Sequence, residues 1–284
     1  MRRTPLTLFL ALVAALVLAA TCTAATPLVR ATFYLLSRQQ ADGGFAEPGA
    51  SSSAGLTSWV VLGLAAGGRT PADAQAATDY LARVTAAQAT DLELRLLAEK
   101  ALGENTSELA TAIEQLRQPG GRIGPALNST YWGAIALKAA GRTIAPTTVR
   151  FILRAQRKSG GWSWSPHAGP DTGDTAAAIQ ALRASGVVTR SASIRRAVRF
   201  LRRCQNKDGG FAVSPGADSD AQSTAWAIQA FIATRIDPGK AAFRYLKNLQ
   251  RRDGSFRYSA RYVTTPAWVT AQVLCALKRK PFPF

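Results

Sequence analysis

The sequence predicts an all-α protein in which six helical hairpins close into two concentric rings. Three observations carry that expectation. A short phrase built on glutamine, glycine and an aromatic residue recurs along the chain. The helical segment before each copy has one wet face. The helical segment after each copy is apolar all round. The clearest copy runs F-I-L-R-A-Q-R-K-S-G-G-W from Phe151 to Trp162. It returns as F-L-R-R-C-Q-N-K-D-G-G-F from Phe200, as Y-L-K-N-L-Q-R-R-D-G-S-F from Tyr245 and as Y-L-L-S-R-Q-Q-A-D-G-G-F from Tyr34. Self-similarity at a period of about 40–50 residues is the mark of stacked supersecondary units.

The first residues stand apart from the repeats. Arg2 and Arg3 precede an apolar run from Leu6 to Ala20, followed by T-C-T-A-A-T. That is the pattern of a secretory signal with cleavage near Ala24 or Ala25. The run is shorter than the ~20 residues a membrane span needs. A lipoprotein cysteine at Cys22 and an uncleaved anchor are the alternatives. The domain plan is therefore 1–25 as signal peptide and 26–284 as one repeat domain, in a chain placed outside the cytoplasm.

The hairpins follow in order. Helices are expected over 26–38 with 56–67, 72–88 with 91–102 and 105–117 with 128–140. Three more pairs are 146–157 with 173–185, 191–205 with 221–235 and 239–250 with 265–278. Ile194 to Gln205 typifies the first helix of a pair. Ile194, Ala197, Val198, Leu201 and Cys204 fall at helical spacing, and Arg195, Arg196, Arg199, Arg202 and Arg203 share the other face. Thr224 to Thr234 and Ala267 to Leu277 typify the second helix and carry no charge. A helix without a polar face must be buried on all sides, which puts it in the inner ring. The second pair lacks the glycine turn, and the third shortens it to Q-P-G-G at Gln118. An open solenoid is the rival arrangement and would need polar terminal caps.

The aromatic-Leu-x-x-x-Gln-x-x-x-Gly-x-aromatic turn resembles the QW-type repeat of squalene and hopene cyclases and protein prenyltransferases. The likeness spans about residues 30 to 280 and implies an α/α toroid, a scaffold that hosts cyclases, transferases and plain binders. The repeat's own residues read as structural. Gln can donate to and accept from loop backbone, and Asp42, Asp208 and Asp253 before glycine are ordinary turn chemistry.

The sharpest catalytic candidates are Asp171 and Asp174, in P-D-T-G-D-T-A from Pro170 to Ala176. Squalene-hopene cyclases place D-x-D-D-T-A there. The resemblance sets Asp171 on the first Asp and Asp174 on the last, while the middle Asp, that family's proton donor, falls on Gly173. The competing expectation is that Asp174 caps its helix. In the next copy, Asp220 stands level with Asp171 and Ser223 with Asp174. Ser53, Thr57, Ser129 and Thr130 also read as caps.

Other chemistries fall away. The lone histidine, His167, lies in a Pro/Ser loop, and no zinc, thioester, hydrolase or nucleotide-binding pattern appears. No cofactor and no metal are expected. The formal charge of +18 falls to about +16 on cleavage, with 33 basic residues against 17 acidic ones. In an exported chain that charge points to an anionic envelope component rather than nucleic acid, or simply to solvated outer helices. Cys204 and Cys275 would survive cleavage, and their pairing stays open.

Trp59, Trp132 and Trp226 stand two residues past the aligned threonines, where the fourth clear copy has Ala177, and Trp268 occupies a similar place. Four tryptophans ringing one mouth, with Asp171, Asp174 and Asp220 beside them, would suit a hydrophobic or isoprenoid-like small molecule. Core packing between inner helices is the alternative. The sequence therefore leans toward a non-catalytic binder. The rivals are a terpene-cyclase-like or prenyltransferase-like enzyme with a degenerate D-x-D-D-T-A motif and a structural or adhesive module at the cell surface.

Overall fold

A computed structural model describes residues 26–284 apart from Ala87. The expected signal segment, residues 1–25, and Cys22 within it lie outside the described residues. Twelve helices are present among them. They are α1 (Pro27–Leu36), α2 (Ala54–Ala66), α3 (Ala74–Arg83), α4 (Ala89–Leu102), α5 (Ser107–Gln115) and α6 (Leu127–Ala139). Then come α7 (Pro146–Arg154), α8 (Thr172–Ala184), α9 (Ala192–Arg203), α10 (Ala221–Ala233), α11 (Lys240–Asn248) and α12 (Pro266–Leu277). Two antiparallel strands of two residues, β1 (Phe211–Ala212) and β2 (Ser219–Asp220), are the strands among the described residues. The second outer helix is shorter than expected, ending at Arg83 rather than near 88, where Val84 takes an extended conformation.

The even-numbered helices form the inner ring. Each packs on the next, and α12 packs back on α2, so the ring is closed. Apolarity on every side explains the placement of α2, α10 and α12, which carry no charge. In α10, ten residues from Ala221 to Phe231 are buried, Trp226, Ile228 and Gln229 among them. The odd-numbered helices surround that ring with one face out. In α9 Ile194, Ala197, Phe200 and Leu201 are buried while Arg195, Arg196, Arg199, Arg202 and Arg203 are exposed. An α/α toroid is the observed architecture. No helix among the described residues is long and apolar enough to cross a membrane.

In three copies the repeated glutamine ties its hairpin to the next, and beside Gln205 the link is made by Arg202, which donates to Asp237 O and Pro238 O. Gln39 Nε2 donates to Gly43 O in its own turn at 3.1 Å and to Asp73 O, before α3, at 2.6 Å. Gln156 does the same with Gly160 O and Ser193 O, at 2.8 and 2.9 Å. Gln250 closes the circle, donating to Gly254 O at 3.0 Å and to Pro27 O, at the start of α1, at 2.7 Å. Gly254 takes φ +93°, and a Cβ there would lie 2.3 Å from Arg30 O, so glycine is required twice over. Glu47 completes the junction from the other side. Its carboxylate accepts from the amides of Ala267 and Trp268 at 2.8 and 2.9 Å, capping the last helix from the first repeat.

The threonines expected as caps have another task. Thr57 Oγ1 accepts from Phe45 N, Thr130 Oγ1 from Ile123 N, Thr175 Oγ1 from Trp162 N and Thr224 Oγ1 from Phe211 N, at 2.8–3.1 Å. They lie inside the first turn and pin the preceding loop. Ser53, Asp171 and Asp220 are the capping residues, and Ser129 donates to Ile123 O and Ala126 O instead. Cys204 and Cys275 are free and buried. Cys204 ends outer α9 and Cys275 lies in inner α12.

Candidate acid site in a tryptophan-floored cup

The inner helices begin at one mouth of the barrel, and their first turns surround a cup of about 310 Å³. Trp59, Trp132, Trp226 and Trp268 line it, with Asp171, Gly173 and Asp174 in its wall. Leu94, Thr90 and Asn128 complete the lining. The volume lies at the low end of the range for small-molecule sites, about 300–1,000 Å³. Three larger hollows, of about 870, 690 and 370 Å³, lie among turn loops and outer helices, and the first two are lined chiefly by charged and polar residues.

The tryptophans do not stand apart in a ring. Trp59, Trp132 and Trp226 occupy the sixth place of α2, α6 and α10, midway along each helix, and meet on the barrel axis. Their centroids are 5.2–5.6 Å apart with planes at 84–85°. Edge-to-face packing of this kind sets the positive rim of one indole on the negative face of the next. The three form the floor of the cup. Trp268 arrives from one turn earlier in its helix, because Thr270, not Val269, holds the turn by accepting from Phe256 N at 2.9 Å. It reaches Trp59 at 6.0 Å.

Asp171 is the N-cap of α8, its Oδ1 accepting from Asp174 N at 2.7 Å. The expectation that Asp174 is the cap is corrected: it is the third helical residue, and its own carboxyl is free to hydrogen bond with that of Asp171. Two carboxyls sharing a partly dry site cannot both ionise readily. Burial first, then the charge of Asp171 and the hydrogen bond to it, push Asp174 up to about 9. Asp174 therefore holds its proton at neutral pH. Asp220, expected at the same mouth, does not line the cup. It is buried beneath α10, where its Oδ1 accepts from Ser223 N at 2.7 Å. His167 is exposed, and no group of metal-ligating side chains occurs among the described residues.

One buried acid had no signal in the repeat. Glu93 of α4 is fully buried, with neither carboxyl oxygen hydrogen-bonded. A Cβ at Gly133 of α6 would lie 3.1 Å from Glu93 Oε1. The second hairpin lacks the glutamine turn, and α4 is the inner helix with charges along its length, which is why periodicity alone missed it. Burial, then the nearby charge of Asp91, raises Glu93 well above 4.5. The folded state thus keeps protons on Glu93 and Asp174 that the unfolded chain releases. Stability is fully present below the unfolded carboxylate values and is lost as pH rises toward the folded ones. The melting temperature is expected to fall between pH 5 and pH 8. Glu93→Met should flatten that fall, as read by thermal melts across the range; an unchanged slope would contradict it.

Comparison with known proteins places this geometry. The family model described as squalene-hopene cyclase C-terminal domain matches residues 138–268, and that described as prenyltransferase alpha-alpha toroid domain matches residues 7–92. A search of curated protein sequences returns no match. Among solved structures, the type II terpene cyclase MstE from Scytonema aligns over 89% of this chain and 96% of its own, at 20% identity and TM-score 0.66. A protein from Actinoplanes aligns over 89% and 98%, also at 20% and 0.66. The protein geranylgeranyltransferase-I of Candida albicans, solved with GGPP, aligns over 79% and 83% at 13% and 0.64. At these identities the likeness is one of fold.

Proposed function

We propose that this chain, which carries the repeat and the closed ring of the squalene-hopene cyclase and prenyltransferase toroids, binds a short isoprenoid-like molecule in the cup and acts on it as a terpene-cyclase-like acid. The observation that carries the reading is the half-buried carboxyl pair of Asp171 and Asp174 in the wall of one cup, above a floor of tryptophan faces; burial and the neighbouring carboxylate raise Asp174 so that it can serve as a proton donor. In the step envisaged, Asp174 gives its proton to an alkene carbon. The π pair forms the new C–H bond, and the adjacent carbon takes the positive charge. Tryptophan faces attract cations, and Asp171 caps α8 while accepting from its neighbour. A carboxyl that stays protonated at neutral pH is available as a donor but is a weak acid, so the reading leans on the indoles to stabilise the cation. Similar structures bind isoprenoids: MstE is known with geranylgeranyl dihydroxybenzoate as substrate.

The expectation of a non-catalytic binder is thereby replaced as the leading reading, though the hydrophobic ligand is kept. Quenching of tryptophan fluorescence by isoprenoid alcohols should be saturable in the wild type and weaken on Trp226→Ala. Cyclised products should be detectable by mass spectrometry. Identical titrations for the two proteins would remove the cup as the ligand site. Export, and an anionic envelope surface met by the outer arginines, belong to the same proposal. Sequencing of the mature protein should find its first residue near Thr26, and an intact Met1 would refute cleavage.

A further inference from the structure

The opposite half of the barrel is filled by the chain itself. Beyond α12 the backbone turns back, and Phe282 enters the ring from the carboxy-terminal mouth. Its side chain is 3% exposed. Its ring lies 6.0, 5.8 and 6.2 Å from Trp59, Trp132 and Trp226. Phe282 does not line the cup, so it meets the tryptophan floor from below. Phe284 stacks on it at 4.8 Å and stays 38% exposed at the mouth. Beyond Lys280 the tail is held, among the described residues, by one backbone hydrogen bond, from Phe282 N to Gln180 Oε1 at 2.7 Å.

A second observation concerns the wall. Gln180 of α8 and Gln229 of α10 occupy corresponding places, one turn after Ala177 and Trp226. The same level of α2 and α6 carries Leu62 and Ile135. Gln180 meets the tail, but Gln229 is fully buried with neither amide atom hydrogen-bonded. Leaving a buried amide unpaired forfeits the hydrogen bonds it makes to water in the unfolded chain. Apolar residues would serve a permanently sealed core better at both positions.

We propose that Phe282 is an exchangeable occupant of the barrel, a plug that sets how long an apolar chain the cup accepts. Its withdrawal removes the ring that backs the three indoles, so that they can part and join the lower half to the cup, and it exposes Gln180 and Gln229 as hydrogen-bonding grips for a long apolar ligand. This inference rests on the reading of the cup as a hydrophobic-ligand site. A plug in place nine-tenths of the time lowers apparent affinity about tenfold, because only the open fraction binds.

The test uses geraniol and geranylgeraniol as short and long probes, titrated by tryptophan fluorescence into the full chain and into Phe282→Ala. Geraniol, which fits the cup, should bind both proteins alike. Geranylgeraniol should bind Phe282→Ala about tenfold more tightly than wild type. In wild type, saturating geranylgeraniol should speed tryptic cleavage at Lys278 or Arg279. If Phe282→Ala does not fold, Phe282→Leu, which keeps an apolar foothold, is read by the same titration and should show a smaller gain in the same direction. Equal geranylgeraniol affinities with geraniol still binding would make Phe282 plain core packing and leave the cup reading standing. Failure of both alcohols to bind either protein would sink the cup reading and this inference together.

Discussion

Asp174→Asn is expected to lower formation of any cyclised product by about 100-fold or more, the scale on which a positioned acid acts. The melting temperature at neutral pH should rise, because asparagine spares the folded state the proton uptake that Asp174 requires. Asparagine has the shape of the protonated carboxyl and can still donate to Asp171, whose own cap to the Asp174 amide at 2.7 Å is untouched. The pH dependence has a definite sign. Asp174 keeps its proton until about 9, so activity should persist through neutral pH and fall on the alkaline side. A variant as productive as wild type would remove Asp174 from the acid role. Gly173 offers the complementary experiment. It lines the cup, and a Cβ there would meet only Asp171 Oδ1, at an ordinary 3.4 Å. Gly173→Asp should therefore fold and add a third carboxyl where cyclases of similar motif carry their donor. It should raise product yield; a folded variant with lower yield would argue that the acid pair works differently here.

The second large effect is expected at the inner-ring contact of α2 with α12. Gly63 lies in the middle of α2, where alanine ordinarily gains about 1 kcal/mol in helix propensity. Here a Cβ would stand 2.9 Å from both Cα and O of Ala271, which are backbone atoms of α12 and cannot swing aside. Gly63→Ala should therefore destabilise by about 1–3 kcal/mol, the usual cost of overpacking. Gly55, on the same helix, is the control. Its Cβ would meet ring atoms of Trp268 at 3.5 Å, so Gly55→Ala should be neutral or better. Urea denaturation of the pair decides the matter, and equal midpoints would contradict the packing argument.

Much of this architecture was legible because each hairpin repeats one physical problem. A turn glutamine must pair its amide, an arginine-bearing helix must face water, and a charge-free helix must hide. Those constraints appear in order along the chain and imply a ring. The candidate site was legible only in part. The spacing of Trp59, Trp132 and Trp226 placed them at one level, but not that they would meet edge-to-face on the axis. Asp174 read as the cap where Asp171 is, since helix starts shift by a residue or two and only backbone geometry tells an N-cap from a third residue. Asp220 followed its alignment but turned inward to its own helix. Glu93 sits in the hairpin where the repeat decays. The entry of Phe282 depends on a tail that has no periodicity, and nothing local in K-R-K-P-F-P-F announces a partner in Gln180.

The junction between the last hairpin and the first bears on how the chain folds. Neighbouring hairpins are joined across short stretches: Gln39 reaches Asp73 over 34 residues, and Gln156 reaches Ser193 over 37. The bond from Gln250 to Pro27 spans 223. Loop-closure entropy grows only with the logarithm of length, about 0.6 kcal/mol per doubling, so under three doublings add about 1.6 kcal/mol. Assembly by short closures, hairpin after hairpin, brings the two ends side by side before that cost is met. On that route the seam forms last, and its glutamine and glutamate contacts, together with α12 packed on α2, hold the circle shut.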